Sequence, residues 1–161
     1  MVRWGNMELE YLVSDVDGVL TDGRYYYSEG GMVFKGFHCS DSVAVKLAKH
    51  FGLTVVFVTS GSETSRAISK RRAVEIGVAL VEAQYGFKER AVQRLGVGFK
   101  RMAYVGDSVD DIPLLDKAAV AFVPAGSLEC VSKRATYVLS RRGGEGCLLE
   151  VLETLGLLDE K

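Results

Sequence analysis

Short apolar runs alternate along the chain with longer stretches in which apolar residues recur every three or four positions. Tyr11 to Val16 is a compact apolar run that ends in acid and then Gly18, which predicts a strand. Tyr25-Tyr-Tyr27 and Met32 to Phe37 flank Ser28-Glu-Gly-Gly31, the pattern of a β-hairpin. Ser42 can cap a helix carrying Val43, Leu47 and Phe51, and Gly52 ends it. Leu53 to Val58 predicts a buried strand, and a helix follows from about Ser62 to its stop at Gly77. Ala79 to Val81 predicts a brief strand, Phe87 to Leu95 a helix, Met102 to Val105 a strand and Asp110 to Lys117 a helix. Val120 to Val123 and Tyr137 to Leu139 add two strands, and Glu145 to Leu155 a last helix after the bend at Gly143, Gly144 and Gly146. Strands alternating with helices at this spacing predict an α/β fold, a parallel sheet with helices on both faces. No repeat or linker interrupts the pattern, so residues 1–161 read as one domain.

Composition changes this picture little. An apolar share of 48% is enough for a core, and 25% charged residues with a net charge of -1 describe an ordinary soluble protein. That balance argues against nucleic acid or an anionic membrane as partner. Cys39, Cys130 and Cys147 form no CxxC or Cys/His cluster, which argues against structural zinc and disulfides and for a reducing cytoplasm. No apolar run is long enough to span a bilayer, and Met1 to Glu10 lacks the apolar stretch of a signal peptide.

The polar residues carry the chemistry. In an open parallel sheet, ligands bind where strands end at their carboxyl side. Three predicted strands end in reactive residues: Asp15-Val-Asp17-Gly18, Thr59-Ser60-Gly61, and Gly106-Asp107-Ser108 with Asp110 and Asp111 beyond. Carboxylates gathered at one sheet edge repel one another, and a hard divalent cation relieves them. An oxygen-only donor set points to Mg²⁺ rather than zinc, and Mg²⁺ favours phosphate-bearing substrates. Lys88, at a helix start, could supply positive charge to a phosphate or to the nucleophile. Each piece alone has a plain reading: Asp-x-Asp-Gly as a turn, Thr-Ser-Gly as a cap, Gly-Asp-Ser as a turn, Lys88 as a surface lysine, and Lys70-Arg-Arg72 as a solvated helix face. A calcium loop is excluded because Leu20 and Thr21 follow the acids and no downstream Glu completes it. The order of all the pieces, each after a strand, points to a phosphate-handling site. A phospho-receiver module also uses acids, a hydroxyl and a lysine. It would place its phosphorylated Asp on a central strand where this chain has Thr59.

These motifs resemble the haloacid dehalogenase superfamily. Asp15-Val-Asp17-Gly-Val-Leu-Thr-Asp22-Gly looks like its first motif, Thr59 or Ser60 its second, Lys88 its third, and Gly106-Asp107 with Asp111 its fourth. The Leu-Thr-Asp-Gly extension, the hairpin and the Gly143-Gly-Glu-Gly146 tail are similar to the capless subgroup of 3-deoxy-D-manno-octulosonate 8-phosphate phosphatases and their sialic-acid-type relatives. The resemblance implies a Rossmann-like domain without a cap, Mg²⁺ as cofactor, a homotetramer packed through its hairpins, and a role in lipopolysaccharide biosynthesis. It implies Asp15 as nucleophile and Asp17 as acid and base. Asp15, the Asp17 backbone carbonyl and Asp107 would hold the metal, with Asp111 orienting that shell. Thr59 and nearby N–H groups would bind phosphoryl oxygens, Lys88 would balance charge, and a phosphorylated sugar acid would be the substrate. Substrate contacts would come from His38, Ser40, Asp41, Ser42, Ser60 and Gly61, with Lys46 and Arg72 as candidate cations for its carboxylate. The segment Phe37 to Ser42 departs from the subgroup, which usually has Arg and Gly where Ser40 and Ser42 stand. The arginine common after the second motif is missing, with Gly61 or Ser62 in its place.

Overall fold

The computed structural model describes residues 1–158. Its elements run β1 (Val2–Trp4), β2 (Met7–Leu9), β3 (Tyr11–Asp15), β4 (Tyr26–Ser28), β5 (Gly31–Phe34), α1 (Cys39–His50), β6 (Thr54–Thr59), α2 (Glu63–Ile76), β7 (Ala79–Glu82), α3 (Lys88–Gln93), β8 (Met102–Val105), α4 (Ile112–Leu115), β9 (Val120–Val123), α5 (Glu129–Ser132), β10 (Tyr137–Val138) and α6 (Cys147–Thr154). Short 3₁₀ turns precede β8 and α4.

Six strands form one parallel sheet in the order β10-β9-β8-β3-β6-β7. Because side chains alternate across a strand, β3 sends Leu12 to one core and Val13 to the other. The first core gathers Ala44, Val45 and Ala48 of α1, Ala73 of α2 and Leu148, Val151 and Leu152 of α6. The second gathers Val92 of α3, Leu114 and Leu115 of α4 and Val131 of α5. Helices therefore cover both faces, as the alternation predicts. The strand order reverses between β3 and β8, the place where such sheets open a crevice at their carboxyl edge.

The β4–β5 hairpin stands apart from this sheet. Tyr26, Tyr27, Val33 and Phe34 are exposed on it, and Tyr26 stacks on Phe34 at 4.5 Å. No segment long enough to be a cap separates the motifs.

Several expected boundaries move. The first helix is capped by His38, not Ser42: the His38 ring accepts the Ser40 N–H, so the helix begins at Cys39. The last helix begins at Cys147 rather than Glu145, because Gly146 takes φ +83, outside the helical region. The stretch from Asp110 divides into a 3₁₀ turn and the short α4. The β1–β2 hairpin and α5 were not anticipated, since runs of three or four residues carry no period to read.

Candidate functional site

The site lies where β3, β6 and β8 end side by side. Asp15 closes β3 and is 3% exposed. Its Oδ1 accepts the Val16 N–H at 2.8 Å, and its Oδ2 lies 2.9 Å from Lys88 Nζ. The chain then turns tightly, with the Leu20 and Thr21 N–H groups donating to the Val16 carbonyl. This turn explains the Leu-Thr-Asp-Gly extension. Leu20 is buried in the core, and the Thr21 hydroxyl accepts the N–H groups of Gly18 and Gly23.

Lys88 is the hub of the carboxylates. Its Nζ also meets Asp111 Oδ1 at 2.8 Å and Asp110 Oδ2 at 3.7 Å. Asp111 is fully engaged: Oδ1 also accepts the Tyr104 hydroxyl at 2.6 Å, and Oδ2 accepts the Asp107 N–H, the Ser108 N–H and the Ser108 hydroxyl. Gly106 makes room, since a Cβ there would come 2.5 Å from the Asp111 Cβ. Asp110 is also committed, accepting the Ser60 hydroxyl at 2.6 Å and the Gly86 N–H at 2.5 Å.

Three carboxylates thus face one ammonium, with Asp107 close by. Burial, then the charges of Asp111 and Asp107, push Asp15 well above the usual carboxylate range. Burial and Asp111 likewise push Asp107 up to about 6. Asp111 stays below the usual range: burial opposes its charge, but Lys88 and Tyr104 outweigh it. Burial would lower Lys88, yet Asp15 and Asp111 hold it above the ordinary lysine range.

Asp15, Asp107 and Asp111 each offer a carboxylate oxygen within 4.8 Å of the others. Asp107 Oδ1 is buried and has no hydrogen-bond partner. A buried carboxylate oxygen without a donor is costly unless a cation meets it. The all-oxygen donor set suits a hard ion such as Mg²⁺. The residues therefore fit a divalent cation between Asp15 and Asp107.

Asp17, two residues after Asp15, turns toward α2. Its Oδ1 lies 2.7 Å from Lys35 Nζ, and its Oδ2 is 3.4 Å from the Thr59 hydroxyl and 3.3 Å from the Ser65 hydroxyl. The Thr59 hydroxyl also accepts the Gly61 N–H. Of the alternative hydroxyls, Thr59 therefore faces Asp17, while Ser60 is spent on Asp110.

His38, Ser40, Asp41, Ser42 and Arg72 have hydrogen-bond partners outside this cluster. His38 Nδ1 and the Ser40 hydroxyl are 2.7 Å apart at the start of α1, close against Gly146. Asp41 is buried, and its Oδ1 accepts the Leu148 N–H, pinning α1 to α6. Arg72 Nη2 donates to the Ser42 hydroxyl at 2.5 Å, and its guanidinium lies 5.8 Å from the centre of the Phe37 ring. Lys46 is exposed on α1, and Lys70 and Arg71 are exposed on α2. The glycine tail packs on the first motif: the Gly144 N–H donates to Val19 O, and any Cβ on Gly143 would overlap the Gly18 carbonyl. Beside this contact a cavity of about 510 Å³ is lined by Gly18, Arg24, Asp107, Ser127 and Arg142 among others.

Sequence reasoning missed Lys35, Ser65, Ser69 and Tyr104. Two signals were present: a lysine inside the apolar run Met32 to Phe37, and a tyrosine in a buried strand, whose hydroxyl must find a partner.

No family model matches the chain. It is 30% identical to the 3-deoxy-D-manno-octulosonate 8-phosphate phosphatase KdsC of Haemophilus influenzae over 151 residues, 91% of this chain and 82% of that protein. It is 30% identical to KdsC of Salmonella typhi over 168 residues, 99% of this chain and 87% of that one. Among solved structures it superposes on the cobalt-bound phosphatase from Haemophilus influenzae with a TM-score of 0.83 at 27% identity, covering 92% of this chain and 87% of that one. The Moraxella catarrhalis phosphatase, solved with magnesium ion, phosphate ion and KDO, superposes with a TM-score of 0.82 at 27% identity over 91% of this chain and 85% of that one. The chain belongs to the KdsC phosphatase family, in the capless subgroup of the haloacid dehalogenase superfamily.

Proposed function

We propose that this chain is a Mg²⁺-dependent phosphatase. It would hydrolyse a sugar-acid phosphate, with 3-deoxy-D-manno-octulosonate 8-phosphate as the leading substrate, through an aspartyl-phosphate on Asp15. The observation that carries this reading is the buried Asp15 carboxylate, aimed by the Val16 N–H and flanked by Lys88 and the partnerless oxygen of Asp107. Family membership supports it, as do the magnesium and phosphate in the Moraxella catarrhalis relative.

A phosphate monoester dianion repels nucleophiles, so its hydrolysis depends on charge neutralisation and alignment. An Asp15 oxygen attacks phosphorus, and the bond from phosphorus to the substrate oxygen breaks. Asp17 gives a proton to that departing oxygen. Water then attacks the phosphorus of the aspartyl-phosphate while Asp17 takes its proton, which releases phosphate and restores Asp15. Asp15, the Asp17 carbonyl and Asp107 would hold Mg²⁺, which supplies the positive charge that offsets the crowded carboxylates and the phosphoryl oxygens. Asp111 fixes Lys88 and the Asp107 segment in place. Thr59 and backbone N–H groups bind phosphoryl oxygens.

The substrate's acidic group needs a cation of its own. Arg72 is the candidate from the sequence. Arg142 is the candidate from the cavity, which reaches Asp107. A sialic-acid-type 9-phosphate is the second substrate reading. It stays beside the first because Ser40 and Ser42, bonded to His38 and Arg72, stand where the subgroup usually has arginine and glycine, a departure that bears on which sugar is read and not on the phosphoryl chemistry.

Assembly as a homotetramer would cover the hairpin, on which Tyr27 is 67% and Phe34 55% exposed. Light scattering at micromolar concentration tests this. The unpaired cysteines suit the cytoplasm, and among the described residues no helix is long and apolar enough to cross a membrane.

The test of the chemistry is turnover of sugar-acid phosphates with Mg²⁺ and with chelator. Chelation should remove activity, Mg²⁺ should restore it, and Asp15→Asn should abolish it in a folded protein. Full activity in excess chelator, or phosphate trapped on another residue, would overturn the reading.

A further inference from the structure

The side chain of Lys35 is fully buried, yet it springs from the exposed hairpin, one residue past β5. An ammonium taken out of water costs several kcal/mol unless fully partnered. Here all three of its protons have acceptors: Asp17 Oδ1 at 2.7 Å, the Ser65 hydroxyl at 2.9 Å and the Ser69 hydroxyl at 2.7 Å. The serines lie one turn apart on α2, and the Ser69 hydroxyl is also tied to the Ser65 carbonyl. Ser65 in turn donates to the other Asp17 oxygen, and the Tyr25 ring covers the ammonium at 5.9 Å. A residue needed only to anchor the hairpin could be apolar. This one ends on a carboxylate oxygen of Asp17.

We infer that Lys35 is a positioning residue for Asp17: it fixes the carboxylate that serves the leaving group, and it makes the placement of that carboxylate depend on the seating of the hairpin. The inference rests on the phosphatase reading above. Asp17 keeps only long contacts, to Thr59 and Ser65, when Lys35 is taken away. The carboxylate then has no strong partner to hold its side chain.

The two halves of the reaction separate this role from a structural one. An alkyl leaving group must be protonated as it departs, whereas p-nitrophenolate leaves without help. The ratio kcat/KM reports events up to phosphoryl transfer, so only the alkyl ester should register a misplaced Asp17. Lys35→Met should lower kcat/KM for a sugar phosphate by about 10²-fold, within the range of general acid catalysis, and for p-nitrophenyl phosphate by less than about threefold. Lys35→Arg should recover part of the sugar-phosphate rate. In an Asp17→Asn background, Lys35→Met should add almost nothing.

If Lys35→Met does not fold, Ser69→Ala loosens the lysine while leaving Asp17 its own contacts, and should shift the two esters in the same unequal sense. Equal losses on both esters, or a full additional loss in the Asp17→Asn background, would overturn the inference and leave the phosphatase reading standing. Absence of turnover of either ester by the wild type would overturn both.

Discussion

The Ser60 hydroxyl donates to Asp110 Oδ2 at 2.6 Å, joining the end of β6 to the turn that follows β8. The same carboxylate accepts the Gly86 N–H from the loop after β7. Three strand ends are thus clasped by one buried side chain. Asp110→Ala would leave two donors without an acceptor and should cost about 1–3 kcal/mol of unfolding free energy in urea titration. Ser60→Ala made on top of Asp110→Ala should add little, because the partner is already gone. Independent, additive losses would dissolve the clasp.

Gly18 carries φ +88, and any Cβ there would overlap the Asp107 carboxylate. Gly18→Ala should therefore strain the turn by about 1–3 kcal/mol and displace the proposed metal ligand. The expected result is a marked rise in the Mg²⁺ concentration needed for half-maximal activity, with weakened Mg²⁺ binding in calorimetry. Unchanged Mg²⁺ dependence would mean that Asp107 does not serve the metal.

Burial raises Asp41 to about 6, and its Oδ2 has no partner to compensate. A carboxyl with a folded-state pKa above its unfolded value of 3.8 binds its proton more tightly when folded. Its contribution therefore favours folding at low pH and is lost as pH rises from about 4 to about 6, then stays constant. Asp41→Asn removes this titration. Between pH 4 and pH 7 the variant should gain on the wild type by up to about 3 kcal/mol, at 1.36 kcal/mol per unit of pKa. Parallel stability curves would refute the assignment.

Arg142 lines the cavity that reaches Asp107, whereas Arg72 is held by Ser42, Glu75 and Phe37. Arg142→Ala should raise KM for a sugar-acid phosphate through a lost charge-assisted hydrogen bond of about 1.5–3 kcal/mol, and leave a small phosphate ester without a carboxylate nearly unaffected. Arg72→Ala should matter less for KM. The reverse pattern would place the acidic group on the α1–α2 face, as the basic run first suggested.

The sheet and the convergence of Asp15, Thr59 and Asp107 were legible because each depends on local pattern, an apolar run and then a polar residue at or just past its end, and Lys88 because it opens the helix after β7. The partners of those residues were not. Lys35 reaches Asp17 across the hairpin, Tyr104 meets Asp111 beneath a glycine, and Asp41 crosses to Leu148. The first and last join segments 18 and 107 residues apart, the second spans only seven residues but bridges a strand and the turn after it, and no period or turn signal encodes any of them. Ser42 illustrates the opposite error. It is a good cap by type, but His38 stands earlier with a ring nitrogen free to accept the Ser40 N–H.

The position of β3 has a consequence in time. It is the first strand of the parallel sheet to be synthesised, yet its register pairs Tyr11 with Thr54 on one side and with Met102 on the other. A nascent chain therefore presents both edges of an apolar strand until much of the protein has emerged, and such distant pairings form slowly. The acids at 15, 107 and 111 cannot meet before then. An unfinished chain would be sticky and unable to gather the divalent ion, and chaperone dependence during synthesis should fall off once residues beyond β8 are available to close the sheet.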